Sequence, residues 1–212
     1  MQTIILNIKK DFQKNIEIAS EMLKKGEVIV FPTETVYGMG ADIFNVNACK
    51  KIFEIKNREE AKPLAAHISN LNMVDMLCES IPDEFFILAD AFLPGPLSII
   101  LKKRKEIKNY PETETIAIRF PKNDTALSLI GKFGRPIAAT SVNISGEKSL
   151  NSTDEIYNLF NGKIAAIIDD GLPTYSLEST VISLCVSSPK ILRKGVISIE
   201  EIEDVLRRKV CF

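Results

Sequence analysis

Several apolar runs in this chain end abruptly in groups that can bind charge or move protons. "VIVF" breaks at Pro32 into Thr33, Glu34 and Thr35. "LAAHI" carries His67, the chain's one histidine, and "IAIRF" sets Arg119 between Ile118 and Phe120. "PIAAT" opens onto Ser141, Asn143, Ser145 and Gly146; "LEST" presents Glu178, Ser179 and Thr180; "ILRKG" ends in Arg193, Lys194 and Gly195. A further basic group, Lys56, Arg58 and Lys62, lies in "KNREEAKPL". Guanidinium groups match phosphate oxygens two at a time and lysine supplies a compact charge, so these cations could surround a triphosphate.

Each feature also has a plainer reading. Lysine and arginine are favoured at helix ends by the helix dipole, so "KNREEAK" alone reads as a solvated helix end. Arg119 either faces solvent on a one-sided strand or must find acceptors, because an unpaired buried charge is costly. His67 alone fits a satisfied core or edge histidine, and "TSVNISG" fits a polar turn. Common site signatures are missing. There is no GxxxxGK[ST] loop, "GMGADI" does not complete GxGxxG, and no His/Cys/Asp group has metal-ligand spacing. A Ser-His-Asp triad would have to use His67, and no GxSxG elbow accompanies it.

The elements that must position these residues are marked by periodicity and punctuation. Helical spacing predicts helices over 13–25, 46–56, 124–133, "NLNMVDMLCES" and "DEFFILADAFL". "STDEIYNLFNG" and the last helix each open with a capping-box pattern, Ser152 with Glu155 and Ser198 with Glu201. Strands are predicted at 27–31, "PLAAHI", "LSIILKK", "TIAIRFP", "PIAATSV", "KIAAIID", "STVISL" and "KILRKG". Gly38 and Gly40 are expected to permit a turn or a close approach. Interleaved helices and strands predict a single α/β domain over 1–212 with a twisted mixed sheet and flanking helices. In such folds ligands gather at strand ends, which is where the polar residues lie.

Composition narrows the function classes. With 27 basic and 28 acidic residues the net charge is -1, which argues against a protein devoted to holding nucleic acid. The N-terminal "MQTIILNIKKDF" lacks a basic segment before its apolar run, so no secretory signal is expected. "FFILADAFLPGPLSIIL" is broken by Asp90, Pro94, Gly95 and Pro96, so no membrane span is expected. Cys49, Cys78, Cys185 and Cys211 have no CxxC spacing and are expected as buried thiols of a cytoplasmic, soluble protein.

Together, "FPTETVYGMGA", "IKNREEAKPLAAHI", "FLPGPLSIIL", "TIAIRFP", "ATSVNISGE", "LESTVISL" and "ILRKG", in that order, resemble the YrdC/TsaC family of threonylcarbamoyl-adenylate synthases. The resemblance implies the YrdC-like α/β fold around a positively charged concavity. It implies a nucleotidyltransferase that makes threonylcarbamoyl-AMP from L-threonine, CO2 or bicarbonate, and ATP, releasing pyrophosphate. The product would serve N6-threonylcarbamoyladenosine formation beside the anticodon of tRNA, through hand-over to a tRNA threonylcarbamoyl-transferase machinery. By the same carry-over Thr35, His67, Arg119 and Ser179, with the backbone of Ala139, belong to the threonine side. Lys56 and Arg58 become catalytic and phosphate-binding groups; Lys62, Thr115, Ser141, Asn143, Ser149 and Arg193 join them on ATP. Mg²⁺ is implied with the nucleotide, without a dedicated protein metal site.

The implied chemistry suits these residue types. Arg119 between hydroxyls suits a carboxylate clamp, and in-line attack on the α-phosphorus needs placement and charge neutralisation more than a nucleophile. The sequence departs from the family at Met39, at Val142 and in "RFPKND", which lacks a histidine often found there. It is expected to represent the short form without an extra C-terminal domain. The alternatives are an RNA-binding module of the same fold, with weak tRNA contact, or a carbamoyl-transferring relative.

Overall fold

In the computed structural model, which describes residues 2–212, the strands in chain order are β1 (Ile4–Asn7), β2 (Ile29–Phe31), β3 (Gly38–Asp42), β4 (Ala65–His67) and β5 (Leu97–Lys102). They continue as β6 (Thr115–Arg119), β7 (Ile137–Ser141), β8 (Ala166–Asp169), β9 (Thr180–Ser183) and β10 (Lys190–Arg193). The helices are α1 (Phe12–Lys24), α2 (Val46–Lys56), α3 (Asp83–Phe92), α4 (Asp124–Phe133), α5 (Thr153–Phe160) and α6 (Ile199–Leu206). All ten strands join one sheet in the order β1-β8-β2-β3-β7-β4-β6-β5-β9-β10. β8 runs parallel to β1 and β2, β4 to β6, and β5 to β9; the other neighbours are antiparallel. The sheet is therefore mixed, as the interleaving of helices and strands predicts.

Two strands escape the sequence pattern. β1 is a short edge strand whose Ile4 and Ile5 are largely exposed, so it carries little apolar periodicity. β3 reads "GMGAD", with two glycines of low strand propensity, and extends only because β2 and β7 pair with it on both sides. No turn forms at Gly38 or Gly40. The close approach does: a Cβ on Gly40 would lie 2.7 Å from the Ile137 Cγ2 and 2.8 Å from the Phe31 ring. Phe31 packs across β3 there, and only glycine leaves room for the ring.

Three local expectations need correction. "NLNMVDMLCES" is not a helix but a 3₁₀ turn at Leu71–Met73 followed by further turns. Its backbone bonds are mostly of the i→i+3 kind, and Cys78 then bridges to Lys103. Ser152 precedes α5 without a side-chain cap, so that capping box is absent, whereas Ser198 and Glu201 form theirs in full. Cys49 and Cys78 are buried free thiols, but Cys185 and Cys211 are exposed.

The core lies on both faces of the sheet's centre. α2 packs on β3, while α1 packs on α4 and on the strands around β2. α2 stops at Lys56 because Asn57 takes a left-handed conformation, φ 50, and redirects the chain toward β4.

Candidate functional site

β6 shows how the sheet builds a site. Its sequence alternates Thr115, Ala117 and Arg119 on one face with Ile116 and Ile118 on the other, the period of two that a pleated strand imposes. Pairing spreads the alternation sideways. Arg119 stands opposite His67 of β4 and Ser98 of β5. One step back, Ala117 lies level with Ala65, Ala139 and Ile100. Beyond that floor lie Thr115 and Ser141. The strand rise puts Thr115 and Arg119 about 13 Å apart, with alanines between them.

This face opens into a cavity of about 680 Å³. Of the candidate residues, Thr35, Arg58, Lys62, His67, Thr115, Arg119, Ala139, Ser141, Asn143, Ser179 and Arg193 line it. They come from separate parts of the chain, so the sheet does bring the strand-end groups together. Lys56 and Ser149 are not among the lining residues. Thr180 is fully buried and donates to the Ile197 carbonyl, a structural bond.

Lys56 is the largest departure from expectation. Its ammonium is fully buried and donates to Ser141 O (2.5 Å), Asn143 O (2.7 Å) and Asn143 Oδ1 (2.6 Å). It thus ties the end of α2 to the loop after β7 from behind, and does not present its charge to the cavity. Burial pushes its pKa down to about 7, with Arg58 acting in the same direction and Glu178 opposing. Only the ammonium form has three N–H groups for these three acceptors, so the geometry holds it protonated. Ser149 likewise acts at one remove, donating to Glu178 Oε1 at 3.1 Å.

Arg119 is buried, not solvent-facing, and its acceptor is Glu34, 2.6 Å from Nη2 and 85 residues away in sequence. Burial lowers the arginine's pKa, while Glu34 acts against that shift. His67 is pushed down to about 3, chiefly by burial and then by Arg119, so the imidazole is neutral.

Thr33 sets the polarity of its neighbour. Its hydroxyl donates to Val36 O at 2.6 Å, so across the 2.9 Å contact with Thr35 Oγ1 the proton must come from Thr35. Thr35 is left with lone pairs to offer the cavity.

On the opposite wall Ser98 and Ser179 share a hydrogen bond of 2.8 Å. Arg193 donates to Ser179 O and Oγ and to Glu178 Oε2. β10 can approach this closely because Gly195 lies against the Glu178–Thr180 backbone, where a Cβ would come within 2.3 Å of Glu178 O. Arg58 is held by the Lys62 and Pro63 carbonyls, while Lys62 is an exposed lysine paired with Glu59.

Sequence reading missed Ser98 and left Thr33 and Glu34 without roles. Ser98 had a signal, a lone hydroxyl between Leu97 and Ile99 in a buried strand. Glu34 had none, since nothing local connects it to Arg119. Among the described residues no group of three or more His, Cys, Asp or Glu is placed to hold a metal ion. No helix of the described residues is long and apolar enough to cross a membrane.

The chain is similar to known proteins over most of its length. The family model for Sua5, YciO and YrdC proteins, described as "Telomere recombination", matches residues 21–195. A threonylcarbamoyl-AMP synthase of Pyrococcus abyssi is 42% identical over 207 residues, covering 96% of this chain and 61% of the relative. One from Bacillus subtilis is 40% identical over 191 residues, covering 89% of this chain and 55% of the relative. The crystal structure of P. abyssi Sua5 complexed with L-threonine superposes with a TM-score of 0.95 at 40% identity, over 99% of this chain and 63% of that one. The chain thus spans about six-tenths of the length of these relatives.

Proposed function

The chain belongs to the Sua5/YciO/YrdC family, and from that premise we propose that residues 1–212 act as one YrdC-like domain that condenses L-threonine, CO2 or bicarbonate, and ATP into threonylcarbamoyl-AMP with release of pyrophosphate. The observation that carries the reading is the division of one cavity by its alanine floor. Arg119, His67, Ser98 and Ser179 lie on one side, with Arg193 level with Ser98 and bonded to Ser179. Thr115 and Ser141 lie on the other, and Thr35, Arg58 and Asn143 complete the lining.

In this reading Arg119 receives the amino-acid carboxylate. Two of its five N–H groups are engaged, by Glu34 and Phe120 O, and the rest are free for a substrate anion. Thr35, whose own proton points to Thr33, accepts an N–H from the substrate amine. Neutral His67 adds an uncharged polar group beside Arg119 and does not repel the amine. The unprotonated amine nitrogen bonds to the carbon of CO2 as one C=O π bond opens onto oxygen, and its proton leaves to water, giving a carbamate. A carbamate oxygen then attacks the α-phosphorus over the alanine floor, and the bond to pyrophosphate breaks. Arg58 and Arg193, with Lys62 at the rim, neutralise charge on the departing group. Lys56 acts through Ser141 and Asn143, holding the loop on which the nucleotide rests.

The donor set fits Mg²⁺ arriving with the triphosphate. Glu147 and Glu178 are the carboxylates among the lining residues, and Glu178 is already shared between Ser149 and Arg193. Glu147, with the hydroxyl oxygens of Ser141 and Ser145, is what the chain offers such an ion. The ion would supply charge neutralisation on the phosphates. The product would pass to a tRNA threonylcarbamoyl-transferase machinery in the cytoplasm, with any direct tRNA contact weak.

The test is pyrophosphate release by the purified chain. Release should require ATP, Mg²⁺, L-threonine and bicarbonate together. Release indifferent to threonine, or RNA retention without release, would overturn the reading.

A further inference from the structure

The Glu34–Arg119 pair is unusual in its surroundings. Both side chains are almost wholly buried, at 4% and 3% exposure, yet Arg119 lines the cavity and Glu34 does not. Glu34 Oε1 takes the 2.6 Å bond from Arg119, while Oε2 is buried with no partner at all. Buried polar atoms are normally bonded, so an open carboxylate oxygen beside Arg119 calls for an explanation. Glu34 also cannot easily withdraw. It sits in the fully buried segment 32–37, and its carbonyl accepts from the Tyr175 N–H. The other charged group acting on Arg119 is Arg193, of the same sign.

We propose that Glu34 is the resident counter-ion of Arg119, a positioning residue that holds the guanidinium in place and shares it with an incoming substrate carboxylate. The inference rests on the amino-acid reading of this side of the cavity. It also explains how one cavity with several cations sorts two anionic substrates. Arg119, neutralised by Glu34, exerts little pull on a triphosphate at long range, whereas Arg58, bonded to the neutral Lys62 and Pro63 carbonyls, keeps its charge for the phosphates. A carboxylate placed in direct contact can still use the guanidinium's free N–H groups. Without Glu34, the empty site would hold a lone buried cation, and the substrate carboxylate would become its only counter-ion.

Ligand-induced thermal shifts of the full chain test this, using L-threonine and L-threoninamide, which lacks the carboxylate. In E34Q, which keeps shape and removes charge, the unliganded protein should melt lower than wild type. L-threonine should raise its melting temperature more than it raises that of wild type, and L-threoninamide should not. In E34Q/R119M the unliganded stability should recover and the L-threonine response should vanish. If E34Q does not fold, a folded E34Q/R119M supports the inference and an unfolded one overturns it. A wild-type response that is no larger in E34Q would sink the counter-ion role alone. No L-threonine response in wild type would instead remove the amino-acid reading and the inference with it.

Discussion

Replacing Lys56 with methionine separates two roles that the sequence could not distinguish. A phosphate ligand would be lost from the cavity, whereas a positioning residue would be lost from behind the loop after β7. Met fills the volume of the lysine stem, so the main change is the missing donor. Asn143 Oδ1 keeps the Ser141 hydroxyl at 3.0 Å, but the Ser141 and Asn143 carbonyls both lose Lys56. Each buried carbonyl left unsatisfied costs about 1–3 kcal/mol. Removing a desolvated ammonium returns part of that cost. The net loss should be about 2–4 kcal/mol, or a melting temperature lower by about 5–15 °C for a domain of this size. The protein should remain folded, since total stabilities run to about 5–15 kcal/mol.

Kinetics supply the second half of the test. Pyrophosphate release measured against ATP concentration should show a raised KM for ATP, because Ser141 and Asn143 no longer hold their places. K56M and N143A should also be strongly non-additive, with a coupling of about 0.5–3 kcal/mol, since both act through one network. The opposite pattern would be wild-type stability, a collapsed kcat, and effects of K56M and N143A that simply add. That result would put the ammonium on the reacting phosphates and refute the positioning argument.

Other perturbations follow from the same geometry. Arg119→Lys keeps the charge but loses the planar fork, so the KM for L-threonine should rise roughly ten-fold with little change in the KM for ATP; the reverse pattern would place Arg119 on the nucleotide. Gly40→Ala forces a methyl against Ile137 and Phe31, at a cost of about 1–3 kcal/mol in urea unfolding; an unchanged midpoint would mean that β3 shifts freely. His67 is held neutral down to about pH 3 when folded, against an ordinary value near 6.5. Between those limits the unfolded chain takes up a proton that the folded one refuses, so this contribution to stability falls as pH drops through the window, by up to about 1.4 kcal/mol per unit, and is gone below it. Urea midpoints at pH 7, 5.5 and 4.5 should therefore fall more steeply in wild type than in His67→Gln, and parallel curves would contradict this.

What the sequence disclosed and what it withheld divide along physical lines. The helix over 46–56 and the strands "LSIILKK" and "TIAIRFP" were legible because apolar period and punctuation are local signals. β3 was illegible because its stability comes from two partner strands and from a phenylalanine ring, not from its own residues. At the site, the identity of the cavity-lining polar groups was legible as strand-end chemistry. Their second partners were not. Lys56, Arg58 and Lys62 look alike in "KNREEAK", yet one is fully buried behind a loop, one is pinned by carbonyls and one is exposed at the rim. Nor could adjacency in the chain tell Thr35 from Thr33 or Glu34, because the threonines differ in where each hydroxyl proton points and Glu34 in the distant arginine it pairs with.

The alanine floor runs unbroken across a mixed part of the sheet. Ala139 on β7, Ala65 on β4 and Ala117 on β6 form one level across three strands, with an antiparallel junction on one side of β4 and a parallel one on the other. Moving two residues in one sense along these strands reaches His67 and Arg119. Moving two in the other reaches Thr115 and Ser141. If the chain carries out the proposed condensation, its two substrates can lie end to end along the strand direction, their far groups anchored about 13 Å apart. The reacting atoms then meet over side chains too small to interfere. Larger residues at any of the three positions would fill that space, and polar ones would bring water or compete for the phosphate. On this argument the least reactive residues of the site define where the reaction occurs, and the charged residues at either end determine what is brought there.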